Sequence, residues 1–161
     1  MKRVYLETTI VSYLTARSSR NLLVAAWQEI TKEWWDRRRS QFELFTSTLV
    51  LDEARQGDPN AAKLRLDQLE NIPSLSITDS AIEFAKTLIN EGAIPQQAPD
   101  DALHISLSAV HHIDYLLTWN FKHIDNAETK PFIRALCLKH GLPYPEICTP
   151  QELMGDDIDE R

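Results

Sequence analysis

Asp101-Ala102-Leu103-His104-Ile105-Ser106-Leu107-Ser108-Ala109-Val110 is followed almost directly by Tyr115-Leu116-Leu117-Thr118, and these two segments decide the fold. The first is apolar on nearly every side, as a helix near the middle of a protein is. Its one polar stripe is Asp101, His104, Ser108 and His111, which must face either water or a pocket. Pro99 sets up the helix start, with Asp100 a natural N-cap and Asp101 in the first turn. The second segment is a short apolar run of strand length. A central helix that leads straight into an apolar strand fits a parallel sheet with helices on both faces.

The same alternation runs through the rest of the chain. Arg3-Val4-Tyr5-Leu6 reads as an opening strand, followed by a short helix over 9–15, a loop rich in Ser and Arg, and a long helix over 20–38. In the long helix Leu23, Trp27, Ile30 and Trp34 line one face, and Gln28, Glu29, Lys32, Glu33 and Asp36 take much of the other. Residues 42–46 read as a strand, and Ser47 caps the helix after it. A helix with Leu64, Leu66 and Leu69 comes next, then the strand-like Leu75-Ser76-Ile77. Thr78, Asp79 and Ser80 offer N-caps for a helix striped by Ile82, Ala85 and Ile89 and stopped by Gly92. A helix near 132–140 and a strand near 146–149 complete the pattern. The fold class is α/β: a three-layer sandwich with a mainly parallel central sheet flanked by helices.

The chain of 161 residues divides into one domain over 1–150 and an acidic tail over 151–161. Its content of 43% hydrophobic and 25% charged residues argues against global disorder. No apolar run has the length of a membrane span, so no membrane partner is expected. Met1-Lys2-Arg3-Val4-Tyr5-Leu6-Glu7 meets a carboxylate too early for a signal peptide. Cys137 and Cys148 show neither Cys-x-x-Cys spacing nor a disulfide framework, and a reduced, cytoplasmic setting is expected. The net charge of −7 by itself counts against a nucleic-acid partner. Its distribution softens that objection, because the tail beyond position 155 holds four acids and one base.

Parallel sheets gather ligands outside the carboxyl ends of their strands. Glu7 follows the first strand and Asn120 follows the Tyr115 strand. Glu53 sits early in a helix after a strand, and Asp101 opens the apolar helix. Three of them have a neighbouring rival. Asp52 adjoins Glu53, but Glu53 shares a side with Leu49 and Val50. Asp100 is assigned to the cap, and Asp114 precedes the strand that Asn120 follows. Acids crowded into one pocket are hard to keep ionised without a cation, so the four read as a divalent-metal site. Hard oxygen ligands favour Mg²⁺ or Mn²⁺ over Zn²⁺, and the histidines lack zinc spacing. Thr118 is placed to orient a pocket carboxylate, while His104 reads either as a donor behind one or as a surface or core histidine. Arg37-Arg38-Arg39 is the one basic run; it reads chiefly as a charged helix end, with phosphate contact as the rival role.

Four stretches together resemble PIN-domain proteins, and specifically the VapC-type ribonuclease toxins of toxin–antitoxin pairs. They are Val4-Tyr5-Leu6-Glu7-Thr8-Thr9-Ile10-Val11-Ser12-Tyr13-Leu14, Thr46-Ser47-Thr48-Leu49-Val50-Leu51-Asp52-Glu53, Asp101-Ala102-Leu103-His104-Ile105 and Asp114-Tyr115-Leu116-Leu117-Thr118-Trp119-Asn120-Phe121-Lys122-His123-Ile124. They cover most of residues 4–124 in the family's order. The resemblance implies a PIN-like nuclease domain with Glu7, Glu53, Asp101 and Asn120 as catalytic and metal-binding residues. It implies Mg²⁺ or Mn²⁺ held by Glu7 and Asp101 with help from Glu53 and Asn120, and hydrolysis of RNA phosphodiester bonds by water. Its implied partners are an RNA substrate, a cognate antitoxin and a second copy in a homodimer. There are two departures: the first acid is usually Asp and is Glu7 here, and the last is often an acid and is Asn120. Those departures keep open a second reading, a catalytically degenerate PIN fold acting as a binding or scaffold module. A haloacid-dehalogenase-like phosphatase would need an acid two residues after Glu7, where Thr9 stands.

Overall fold

A computed structural model of the chain describes residues 1–155. Five strands form one wholly parallel sheet: β1 Arg3–Leu6, β2 Glu43–Ser47, β3 Ser74–Leu75, β4 Tyr115–Leu117 and β5 Glu146–Cys148. Their order across the sheet is β3-β2-β1-β4-β5, which puts β1 at the centre. Tyr5 pairs with Phe45 on one side and Leu116 on the other. Among the described residues seven α-helices flank the sheet: α1 Thr8–Thr15, α2 Leu22–Arg37, α3 Thr48–Ala54, α4 Pro59–Leu69, α5 Asp79–Asn90, α6 Pro99–Val110 and α7 Lys130–Lys139.

Alternation along the strands divides the core in two. Val4, Leu6 and Leu117 join Ile10, Trp34, Trp35 and Trp119 on the face covered by α1 and α2. Tyr5, Phe45, Leu116 and Ile147 turn to the other face, where Val50, Leu88, Ile105, Ile133 and Leu136 of the remaining helices meet them. Both faces of the sheet are thus covered, as the near-continuous apolar strands require. The expected three-layer α/β sandwich is the observed fold.

Several helix faces differ from the sequence reading. In α2 the buried residues are Gln28, Thr31, Trp34 and Trp35, while Leu23 is exposed. Gln28 is buried because the preceding loop folds back onto it: its amide donates to the Arg17 carbonyl at 3.0 Å and accepts from the Ser19 amide at 2.9 Å. In α5 the core takes Ala81, Phe84, Ala85 and Leu88 and leaves Ile82 outside. β3 ends at Leu75, so Ile77 is exposed. Ala98, not Asp100, is the N-cap of α6, and Asp100 and Asp101 share its first turn beside Pro99.

Packing also continues beyond position 150. Leu153 is buried in the Trp34 cluster, and the Trp34 indole donates to its carbonyl at 3.2 Å. Residues 156–161, which hold four of the five acids of the expected tail, lie outside the described residues. Cys137 and Cys148 are free and buried; burial pushes their thiols up to about 11 and about 12. Neither is a thiolate near neutral pH, so they act as small apolar packing groups. Among the described residues no helix is long and apolar enough to cross a membrane.

Candidate active site

The chain leaves β1 towards β2 and β3 on one side and returns to β4 and β5 on the other. This makes the carboxyl ends of β1 and β4 the topological switch point, where open parallel sheets form their binding crevice. Glu7 stands at that end of β1. Its backbone is extended, and its side chain caps α1 by accepting the Thr9 amide at 3.1 Å. The other carboxylate oxygen accepts from the Thr9 hydroxyl at 2.5 Å and the Thr118 hydroxyl at 2.7 Å. Glu7 is only 4% exposed, and three donors hold it. Thr118, at the end of β4, orients a pocket carboxylate as expected.

Glu53 extends from α3, whose N-cap is Ser47. Its Oε1 accepts from the Thr8 hydroxyl and from His104 Nε2, both at 2.6 Å. Behind it runs a buried chain of polar groups. The Tyr5 hydroxyl lies 2.7 Å from His104 Nδ1 and 2.8 Å from Ser47 Oγ, which accepts the Val50 amide at 3.1 Å. While the imidazole is neutral, Tyr5 donates to Nδ1; when the imidazole is protonated, Nδ1 donates to Tyr5. The chain therefore closes a loop from the start of α3 through β1 and α6 back to Glu53. Asp52 instead points to solvent and pairs with Arg55.

Asp101 accepts from His123 Nδ1 at 2.8 Å. Asn120 caps the turn after β4: its Oδ1 accepts the His123 amide at 3.0 Å, and its own amide donates to Thr118 Oγ1 at 2.9 Å. Asp114 sits at the opposite end of β4, where it accepts the Arg3 amide. The polar stripe of α6 faces inward, since His104 and Ser108 are buried and Ser108 bonds back to the His104 carbonyl.

These contacts set the protonation of the pocket. Burial works against a charged imidazole at His104, but the hydrogen bond to Glu53 and the charges of Glu7, Glu53 and Asp101 outweigh it and raise the pKa. Three acids from three elements thus act on one ring. Burial pushes Glu53 up, while the His104 hydrogen bond and charge and the Thr8 hydroxyl bring it below the usual carboxylate value. Burial, followed by the nearby acids, holds Tyr5 well above its ordinary value even though Ser47 opposes the shift, so it stays a phenol.

Among the described residues no three His, Cys, Asp or Glu side chains converge closely enough to hold a metal by themselves. The donors nevertheless suit a hard cation in kind. Both Glu7 oxygens are occupied by threonine donors, whereas Glu53 Oε2 and Asp101 Oδ1 accept none of the hydrogen bonds among the described residues. Mg²⁺ is commonly bound by one or two carboxylates, with water and substrate phosphate completing its shell. The resemblance implies a cation held by Glu7 and Asp101 with help from Glu53 and Asn120. The unbonded oxygens belong to Glu53 and Asp101.

No family model matches the chain, and no curated protein matches it in sequence. The fold matches a chain of the VapBC2 complex from Rickettsia felis, solved bound to a DNA fragment from their promoter. The TM-score is 0.56 and the identity 15%, over 91% of this chain and 98% of that one. The chain thus has the PIN-like fold that its motifs imply. Sequence reasoning placed Glu7, Glu53, Asp101 and Asn120 at one edge, and the structure puts them there. It did not foresee the roles of Thr8, Thr9, Tyr5 and His123, whose contacts depend on the tertiary fold.

Proposed function

We propose that the chain is a metal-dependent endoribonuclease, the toxin of a toxin–antitoxin pair, that works with Mg²⁺ or Mn²⁺. The observation that carries this reading is the gathering of Glu7, Glu53 and Asp101 around His104 at the crevice of a PIN-like fold. Glu53 and Asp101 would hold the cation, with Glu7 and Asn120 shaping the pocket beside them. When bound, the cation would neutralise the acids and stabilise charge on the phosphoryl oxygens of RNA. The protein's own task is positioning: Thr8 and His104 fix Glu53, His123 fixes Asp101, and Thr118 ties Glu7 to the end of β4. An antitoxin and a second copy of the chain are the expected partners, and the cytoplasm is the expected setting.

The competing reading is a scaffold that has lost catalysis. It is favoured by the hydrogen bonds of Glu53 to His104 and of Asp101 to His123, which engage both carboxylates without a cation. RNA cleavage by the purified protein, with Mg²⁺ or Mn²⁺ and with chelator, separates the two. Cleavage should require the cation and be lost in Asp101→Asn, while the variant keeps its circular dichroism spectrum. Calorimetry should show weak Mn²⁺ binding by the wild type that Asp101→Asn largely abolishes. Absence of cleavage with either cation would leave the scaffold reading.

A further inference from the structure

Beside the crevice lies an aromatic cluster that the acid site does not use. Tyr13 of α1, Trp27 of α2 and Trp119 after β4 have nearly parallel rings, with centroids 5.5 to 6.5 Å apart and planes within 8 to 22° of one another. Phe121 is tilted against Trp27 at 5.3 Å and meets Trp119 edge-on at 6.0 Å. Trp119 is buried, Tyr13 and Trp27 are half-buried, and Phe121 is 41% exposed. The cluster is tied to the crevice: the Trp119 amide donates to Thr9 Oγ1, which in turn donates to Glu7, and Phe121 follows Asn120.

The local charge identifies the occupant. Although the chain carries a net charge of −7, residues 8–28 and 115–124, the segments that carry the four rings, contain Arg17, Arg20 and Lys122 and no Asp or Glu, while Arg17 also lines a cavity with Asp58 at the start of α4. All three cations are exposed, and none is in an ion pair among the described residues. The Arg17 loop is held against α2 next to Trp27 by Gln28. Aromatic faces interleaved with cations suit unstacked nucleobases on a phosphate backbone, since every base offers a π-face.

We infer that Phe121, Trp27 and Tyr13 form a stacking platform for bases of single-stranded RNA next to the scissile phosphate, with Arg17, Arg20 and Lys122 tracking the backbone. This inference rests on the ribonuclease reading above, but it can be tested without catalysis. An eight-nucleotide oligoadenylate and an abasic oligomer of the same length are titrated in chelator, and tryptophan emission is followed. The oligoadenylate should quench emission. Phe121→Ala, at an exposed position, should weaken it about tenfold, while Phe121→Trp should keep or tighten it. Affinity for the abasic oligomer should be the same in all variants.

Phe121→Leu tells a π-face from plain apolar area. It should behave like Phe121→Ala, and wild-type affinity in the Leu variant would overturn the platform and point to a protein-docking surface. Equal oligoadenylate affinity in every Phe121 variant, or no binding by the wild type, would also overturn it. Cleavage by the wild type with Mn²⁺ is scored separately. Cleavage without an effect at Phe121 sinks only the platform; stacking without cleavage sinks only the nuclease reading.

Discussion

Glu53 and His104 stabilise each other's charged forms, and the signs of their shifts give the pH dependence of the cation-free protein. His104 is raised, so its contribution is complete below the ordinary histidine value of about 6.5 and fades as pH climbs through its higher folded value. Glu53 is lowered, so its contribution is present above the ordinary carboxylate value and fades as pH falls through its folded value. The pair therefore stabilises the fold most between those limits. In chelator, Glu53→Gln should flatten the decline in Tm on the alkaline side relative to wild type. Parallel Tm profiles would show that the two do not act as a charged pair. Asn120→Asp probes the other end of the site. An aspartate can keep the cap on the His123 amide and add a charged oxygen, so Mn²⁺ affinity measured by calorimetry should rise. An unchanged affinity would put position 120 out of reach of the cation.

At the level of elements, the strands were legible because short apolar runs between Gly, Pro and polar turns have few other places to go. The faces of α2 and α5 were less so. Gln28 looks like a solvated residue in sequence, and its partners are backbone atoms of a loop that reveals no such need. The site shows the same division. Strand ends located the acids, whereas the contacts that hold them cross long separations, from Thr8 to Glu53, Glu53 to His104 and Asp101 to His123. Asp100 looked like the cap because it follows Pro99, but the chain enters α6 through Ala98. Gln28→Leu tests the loop's dependence on α2. It should cost about 1 to 3 kcal/mol in urea unfolding, because two backbone groups lose their partners. It should also speed proteolysis between Ala16 and Asn21. Wild-type stability would mean that water satisfies the loop equally well.

Across the whole molecule the question is where an acidic protein meets a polyanion. The basic run at the end of α2 reads in sequence chiefly as a charged helix end, with phosphate contact the rival, and its cations are engaged locally. Arg37 bonds Glu33, Arg38 lies over Phe42 and Arg39 lies over Trp35. Arg39 also lines a cavity with Met1 and Glu43, at the amino ends of β1 and β2 and so at the far edge of the sheet from Glu7. Arg17, Arg20 and Lys122 instead lie in the segments that carry the aromatic cluster. Two triple variants decide between these surfaces in an RNA-binding salt series run in chelator. Replacing Arg17, Arg20 and Lys122 with Gln should reduce the slope of log affinity against log salt by about two, since each phosphate contact on single-stranded RNA contributes about 0.7. Replacing Arg37, Arg38 and Arg39 with Gln should leave the slope unchanged. The reverse pattern would move the RNA path to the amino edge of the sheet, away from the acids proposed to cleave it, and would count against both the platform and the nuclease assignment.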